Sequence, residues 1–268
     1  MPVPAYAGYA LDLDGTVYLG EELMPGAAET VGGLRQAGAR VVFVTNKPLE
    51  MAAQYAAKLD RLGIPATADD VVTALDALVR YLGENHAGRR LLLITEEVVN
   101  RRLVDEGFAV TNDPPKAQVV VVSFDRTFTY AKLHAGYRAV RENGAVIVAT
   151  NPDPYCPTPD GGLPDCAAML AALEACTDSR AEAVVGKPSL IMARTFLDRL
   201  GLAAGDVAVV GDRLATDVAM AQRVGAAGIL VLTGATSADA AARSDVRPDH
   251  VIEALRELLP SVRQGVPG

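Results

Sequence analysis

The sequence predicts an α/β protein: a Rossmann-like, doubly wound, mostly parallel sheet with a smaller inserted α/β domain. Three observations predict it. Short apolar runs alternate with amphipathic stretches along the whole chain, those stretches end at glycines, and a long excess of chain separates two of the predicted core strands.

The apolar runs are "YALDLD", "RVVFVTN", "RLLLIT", "AQVVVVSF", "AVIVATN", "EAVVG", "DVAVVGD" and "AGILVLTG". Each is continuous rather than alternating, as expected of strands covered on both faces. Between them lie amphipathic segments such as "GAAETVGGLRQAG", "EMAAQYAAKLDRLG" and "SLIMARTFLDRLG". Each ends at a glycine, a common helix C-terminal signal. Only about thirty residues separate Asp12 from Thr45, enough for one crossover helix and a strand. Well over a hundred lie between Thr45 and Lys187, with three further strand runs among them ahead of "EAVVG". That excess predicts an inserted cap at residues 79–181, with the core formed by 1–78 and 182–268. The terminal "SVRQGVPG" reads as a frayed tail.

Half of the 268 residues are hydrophobic, which supplies a real core and excludes a disordered or fibrous chain. A net charge of −8 argues against nucleic acid or an anionic membrane as the main partner. The N-terminal stretch shows no secretory pattern and no run is long enough to span a bilayer, so the expected location is cytoplasmic. Cys156, Cys166 and Cys176 are odd in number and lack C-x-x-C spacing, which points to a reducing compartment and away from disulfides or zinc.

In open α/β sheets ligands bind at the carboxyl ends of strands. Those ends carry Asp12 and Asp14, Thr45 and Asn46, Asn151 and Asp153, Lys187, and Asp212 with Asp217. Singly, each has a plain reading: an acidic turn, a helix cap, a loop lysine. Together they form a nucleophile, hydroxyl and amide donors, a cation and a cluster of acids. A phosphate monoester calls for this set, because phosphoryl transfer needs charge stabilisation and in-line positioning. Asp12 can attack phosphorus to form an aspartyl-phosphate. Asp12, Asp212 and Asp217 offer the hard oxygens that Mg²⁺ prefers. Lys187, the Thr45 hydroxyl and nearby N–H groups can hold the equatorial oxygens. Asp14, two residues beyond Asp12, can protonate the leaving alkoxide and later deprotonate water.

"DLDGTV" at 12–17, Thr45 in "VFVTN", Lys187 in "GKPS" and "GDRLATD" at 211–217 resemble the four motifs of the haloacid-dehalogenase-like (HAD) phosphatases, in the family's order. "VVSFDRTFTYAKL", "ATNPDPY" and "GDRLATD" further resemble the NagD-like, type IIA branch. The resemblance implies a HAD core with a C2-type cap, and activity as a Mg²⁺-dependent phosphomonoesterase on a small phosphorylated metabolite. It implies Asp12 as nucleophile, Asp14 as acid/base, and Thr45 and Lys187 as the phosphoryl clamp. The metal falls to Asp12, the Asp14 backbone carbonyl and Asp212, with Asp217 either coordinating or orienting. Near the substrate it places Phe124, Asp125, Asn46, Asn151, Asp153 and Cys156. Related caps often contribute to dimers, so a homodimer is one assembly that the resemblance allows.

This chain departs from the pattern of that branch in places. Pyridoxal-phosphate phosphatases carry histidine where Cys156 stands. Many relatives have glycine at the position of Asp165, which here is expected to cap a helix beginning near Cys166. Lys47 follows the Thr45 motif where small polar residues are common, and reads equally as substrate attraction or a loop lysine. His86, His134 and His250 fall in a linker, a cap helix and a late strand, and read as structural. A dinucleotide-binding enzyme would need G-x-G-x-x-G after the first strand, where this chain has "DLDGT". The remaining rival class is a non-catalytic phosphometabolite-binding member of the same fold. Among substrates, sugar phosphates, nucleoside monophosphates, phosphoglycolate and pyridoxal phosphate stay open.

Overall fold

The computed structural model describes residues 3–158 and 161–259; the terminal segment read as a tail lies outside them. The chain opens with β1 (Gly8–Asp12) and a small antiparallel pair, β2 (Tyr18–Leu19) and β3 (Glu22–Leu23). Then come α1 (Ala27–Gln36), β4 (Arg40–Thr45), α2 (Ala52–Arg61), β5 (Val71–Thr73) and α3 (Ala74–Asn85). β6 (Arg90–Ile94), α4 (Glu97–Asp105), β7 (Ala109–Val110), β8 (Val119–Val122), α5 (Tyr130–Asn143) and β9 (Val146–Ala149) follow. The hairpin β10 (Tyr155–Thr158) and β11 (Gly161–Pro164) leads into α6 (Cys166–Thr177), β12 (Ala183–Val184) and α7 (Leu190–Leu200). Last are β13 (Val207–Gly211), a π-helical turn (Leu214–Val218), α8 (Ala219–Val224), β14 (Ala227–Val231), α9 (Ala238–Arg243) and β15 (His250–Ile252).

Every apolar run picked out above contains a strand. The sequence did not announce β5, β7, β10 and β11, for physical reasons. β5 and β7 hold three and two residues, too few for a pattern. β10 and β11, "YCPT" and "GGLP", carry prolines and glycines, residues that ordinarily punctuate strands. The three helical segments ending at glycine are α1, α2 and α7, and the glycines after them (Gly38, Gly63 and Gly201) all have positive φ.

A six-stranded sheet has the order β15-β14-β13-β1-β4-β5. β1 pairs in parallel with β4 on one side and β13 on the other, and β13, β14 and β15 continue in parallel. The chain thus builds outward from β1 in one direction, then returns to build in the other. The reversal falls between β1 and β13, which is where open α/β sheets take ligands. Tyr9, Leu11, Phe43, Val210, Ile229 and Leu230 are all buried, which accounts for the unbroken apolar runs.

The chain divides into two compact units. One comprises the described residues of Met1–Val44, Ala56–Asp70 and Phe196–Gly268; the other comprises those of Thr45–Tyr55 and Val71–Thr195. The second unit holds its own five-stranded parallel sheet, order β12-β9-β8-β6-β7. Its core packs Ile94, Val120, Val122 and Ile147 of the sheet with Cys166 and Leu173 of α6 and Ala139 of α5. α3 starts with a capping box, in which Thr73 and Asp76 satisfy each other's backbone N–H groups. Among the described residues no helix is long and apolar enough to cross a membrane.

Candidate active site

At the reversal point of the six-stranded sheet, three carboxylates converge. Asp12 is the last residue of β1, Asp212 follows the last residue of β13, and Asp217 lies in the π-helical turn beyond it. The parallel pairing sets Leu11 opposite Val210, so Asp12 lies level with Gly211 and Asp212 follows one residue beyond on the adjacent strand. Asp12, Asp212 and Asp217 each offer a carboxylate oxygen, and the three oxygens lie within 4.8 Å of one another. All three residues are buried.

Glycines make this convergence possible. A methyl group on Gly15, whose φ is +87°, would stand 2.6 Å from Asp212 Oδ2. One on Gly234 would press still harder on the same carboxylate, and one on Gly211 would overlap that of Asp217. The carboxylates are steered by donors: the Ala235 N–H donates to Asp212 Oδ2 at 2.6 Å, and the Arg213 N–H and Thr216 hydroxyl donate to Asp217 Oδ2 at 3.3 and 3.1 Å. The Thr233 hydroxyl donates to the Gly15 carbonyl at 2.7 Å and ties the turn after β1 to the chain after β14. Three anionic oxygens, in a cradle that excludes even a Cβ, fit a small hard divalent cation such as Mg²⁺.

Asp14 stands outside β1, in the turn that follows it, joined to Tyr18 by a single bridge. The Leu13 carbonyl accepts from Thr16, Val17 and Tyr18, winding this turn tightly. The strand period invoked for the Asp12–Asp14 pair therefore stops at Asp12, and Asp14 is placed by the turn. The hydroxyl of Thr16 is buried there and finds no hydrogen-bond partner among the described residues.

The second unit brings together another group of the predicted residues. β12 lies beside β9 with Val184 opposite Ala149, and the ladder continues past both strands. The Val185 N–H donates to the Ala149 carbonyl at 2.9 Å and the Gly186 N–H to that of Thr150 at 2.7 Å. This carries Asn151 and Lys187 out together at the strand ends. Asn46, one residue past β4, meets them: its Oδ1 accepts the Lys187 N–H at 2.7 Å, and its Nδ2 donates to the Lys187 carbonyl at 3.1 Å and to Asp153 Oδ2 at 2.8 Å. Asn151 Nδ2 donates to the Asn46 carbonyl at 3.2 Å and, more weakly, to Asp165 Oδ1 at 3.4 Å, while Asn151 Oδ1 accepts the Asp153 N–H at 3.0 Å. Lys187, Asn46, Asn151, Asp153 and Asp165 are all buried. Asp165 caps α6 as expected, its carboxylate accepting the Cys166 N–H at 2.6 Å. Burial pushes its pKa up to about 6, the charge of Asp153 adds to the rise, and the Cys166 and Asn151 donors and Lys47 oppose it.

Thr45 is buried and its hydroxyl accepts the Lys47 N–H at 3.1 Å. α2 does not begin until Ala52, so Thr45 and Asn46 are not its cap. The Lys47 carbonyl accepts the Tyr55 hydroxyl at 2.9 Å. After β8, Phe124 is fully buried with the Arg126 guanidinium 5.9 Å from its ring centre. Asp125 is committed locally, accepting the Lys132 ammonium at 2.6 Å and the Thr127 hydroxyl at 2.6 Å. Cys156 is buried on β10. The histidines have partners or places of their own: His86 Nε2 is 2.8 Å from Glu182 Oε1, His134 stacks on Tyr130, and His250 opens β15. Sequence reasoning quoted Gly211 in the 211–217 motif without giving it a role and missed Gly234, although each stands at or just past a strand end. It also missed that Asn46 binds the backbone of Lys187, a contact between residues 141 positions apart.

Residues 9–109 match the family model for haloacid dehalogenase-like hydrolases, and residues 184–258 match a second model for HAD-hydrolase-like chains. The chain is 32% identical to the sugar-phosphatase AraL of Bacillus subtilis, over 97% of this chain and 94% of that one. It is 33% identical to the 5'-nucleotidase YutF of the same organism, over 96% and 99%. The structure superposes on the glycerol phosphate phosphatase Rv1692 from Mycobacterium tuberculosis, solved in complex with magnesium. That match has a TM-score of 0.87 at 33% identity and covers 95% of this chain and 77% of that one.

Proposed function

Because the chain belongs to the haloacid dehalogenase-like hydrolases, in their NagD-like type IIA phosphatase branch, we propose a specific reaction for it. It is a phosphoric monoester hydrolase of small phosphate monoesters. The proposed substrate is a sugar phosphate or similar metabolite, the cofactor Mg²⁺, and the intermediate an aspartyl-phosphate. The observation that carries this reading is the buried Asp12–Asp212–Asp217 cluster in its glycine cradle.

Asp12, Asp212, Asp217 and the Asp14 backbone carbonyl are the groups proposed to hold the metal. When bound, Mg²⁺ supplies positive charge that lets an anionic carboxylate approach an anionic phosphate. A carboxylate oxygen of Asp12 forms a bond to phosphorus as the bond to the leaving oxygen breaks, and the Asp14 carboxyl gives that oxygen a proton. Asp14, now a carboxylate, then takes a proton from water as the water oxygen bonds to phosphorus. The bond from phosphorus to Asp12 breaks and inorganic phosphate leaves. Thr45 and Lys187 are proposed to hold the non-bridging oxygens throughout. Phe124, Asp125, Asn151, Asp153 and Cys156, with the cap at 79–181, are proposed to surround the leaving group.

The name of AraL supports a sugar phosphate; that of YutF, at similar identity, supports a nucleoside monophosphate as the second reading. The test is phosphate release by the purified protein. p-Nitrophenyl phosphate should be hydrolysed with Mg²⁺ and not after EDTA, and a panel of phosphorylated metabolites ranked by kcat/KM separates the two substrate readings. Saturable binding of a phosphometabolite without turnover of any ester would overturn the catalytic assignment.

A further inference from the structure

We propose that Asn46 is the positioning residue of Lys187: a side-chain amide that grips both backbone polar groups of the phosphate-binding lysine and is itself oriented by Asp153. The inference rests on the reading of Lys187 as the cation at the phosphoryl oxygens.

A primary amide has one acceptor oxygen and two N–H donors. At Asn46 the oxygen takes the Lys187 N–H, and the nitrogen faces the Lys187 carbonyl and an oxygen of Asp153. Both backbone polar groups flanking the Lys187 Cα are therefore bound by one planar group. The orientation of that group is determined. Turning the amide over would set its oxygen against a carboxylate and a carbonyl and its nitrogen against an N–H. Asp153 makes the correct orientation the strong one, because a hydrogen bond to a carboxylate is charge-assisted. Asn151 fixes the other end by donating to the Asn46 carbonyl.

The close fit is visible at Gly186. A Cβ there would lie 2.6 Å from Asn46 Oδ1 and 2.5 Å from the Thr150 carbonyl oxygen. Only glycine lets the amide reach the backbone beside it. Lys187 is itself buried, so close packing limits how far its side chain can compensate for a shift of its backbone. A displacement of about 1 Å at a group that binds the reacting phosphate can cost roughly 100-fold in rate.

The test is a double-mutant comparison with p-nitrophenyl phosphate and Mg²⁺, reading kcat, KM and competitive inhibition by inorganic phosphate. Asn46→Ala should lower kcat/KM by about 10- to 100-fold and weaken phosphate inhibition. In a Lys187→Ala background the same change should cost less than about threefold, because a positioning residue has no effect once its target is gone. Equal losses in the two backgrounds overturn the proposal.

A second pair of variants guards against simple unfolding. Asn46→Asp alone sets two carboxylates together. Asn46→Asp combined with Asp153→Asn restores a donor–acceptor pair with the roles exchanged and the charge unchanged. The combination should recover at least about fivefold in kcat/KM over Asn46→Asp. Residue 46 as a carboxylate cannot donate to the Lys187 carbonyl in either variant, so no recovery in a double variant that melts like the wild type rules out Asp153 as the group that orients residue 46. Wild-type turnover judges the phosphatase reading separately. A wild type that hydrolyses nothing defeats that reading, whereas an active wild type with additive losses at residues 46 and 187 defeats only the clamp.

Discussion

The Asp12–Asp212–Asp217 cluster and the Asn46–Lys187 clamp are both buried, and both stand just past the carboxyl ends of parallel strands. They are nevertheless built on opposite principles. In the first, three like charges are drawn together where glycines have removed every obstructing Cβ. Buried like charges are costly, and a cation offsets that cost. In the second, donors and acceptors match one another, with the amide of Asn46 using its oxygen and its nitrogen on Lys187 and Asp153. A cluster of like charges is made for a guest. A network that satisfies itself is made to hold its members still.

Substitutions can break or sharpen this contrast. Asp12→Asn should have the largest effect, lowering kcat by at least about 10³-fold. Because it also removes a buried like charge, the melting temperature without metal should stay level or rise. Retained turnover would remove Asp12 from the nucleophile's role. Gly234→Ala pushes a methyl group onto the Asp212 carboxylate and should weaken Mg²⁺ binding by about 10- to 100-fold, read by calorimetric titration. An unchanged Mg²⁺ affinity would mean that the cradle does not shape the cation site.

On the other side of the contrast, Gly186→Ala should act on stability as well as activity, costing about 1–3 kcal/mol in denaturant unfolding. The smallest effect is expected at Asp165. Its pKa is raised in the folded protein to about 6 from 3.8, so the folded state holds the proton more tightly. Stability is therefore greatest below pH ~4 as far as this group is concerned, and its contribution is lost as pH rises through about 6. Asp165→Asn cannot ionise, and asparagine caps helices as well as aspartate does. The variant should match the wild type near pH 4 and exceed it by about 1–2 kcal/mol at pH 8. A difference that does not grow between those pH values would show that Asp165 ionises without strain.

Much of this was legible in the sequence, and the reasons differ by region. Strands buried on both faces leave unbroken apolar runs, so the inner strands of both sheets could be read directly. The clustered aspartates were legible because strand ends are few and most other strand-end residues are not charged. β5 and β7 were too short to leave a pattern, and the β10–β11 hairpin contradicts strand composition with its prolines and glycines. The i, i+2 argument for Asp14 did not carry over, because the strand ends one residue too soon and a tight turn places that side chain. Asn46 was recognised as a strand-end amide, but its partnership with Lys187 spans the whole insertion and leaves no local trace.

That span has a kinetic side. The clamp joins residue 46 to residues 151, 153 and 187, so it can close only after three distant passages of chain have been gathered. Contacts of such long sequence separation form late, when most of the loop entropy has already been lost. Interactions absent from the folding transition state slow unfolding without speeding folding. The clamp should thus act as a latch on the folded protein: Asn46→Ala would raise the unfolding rate while leaving the refolding rate close to that of the wild type. A comparable drop in the refolding rate would place the clamp in the folding nucleus instead.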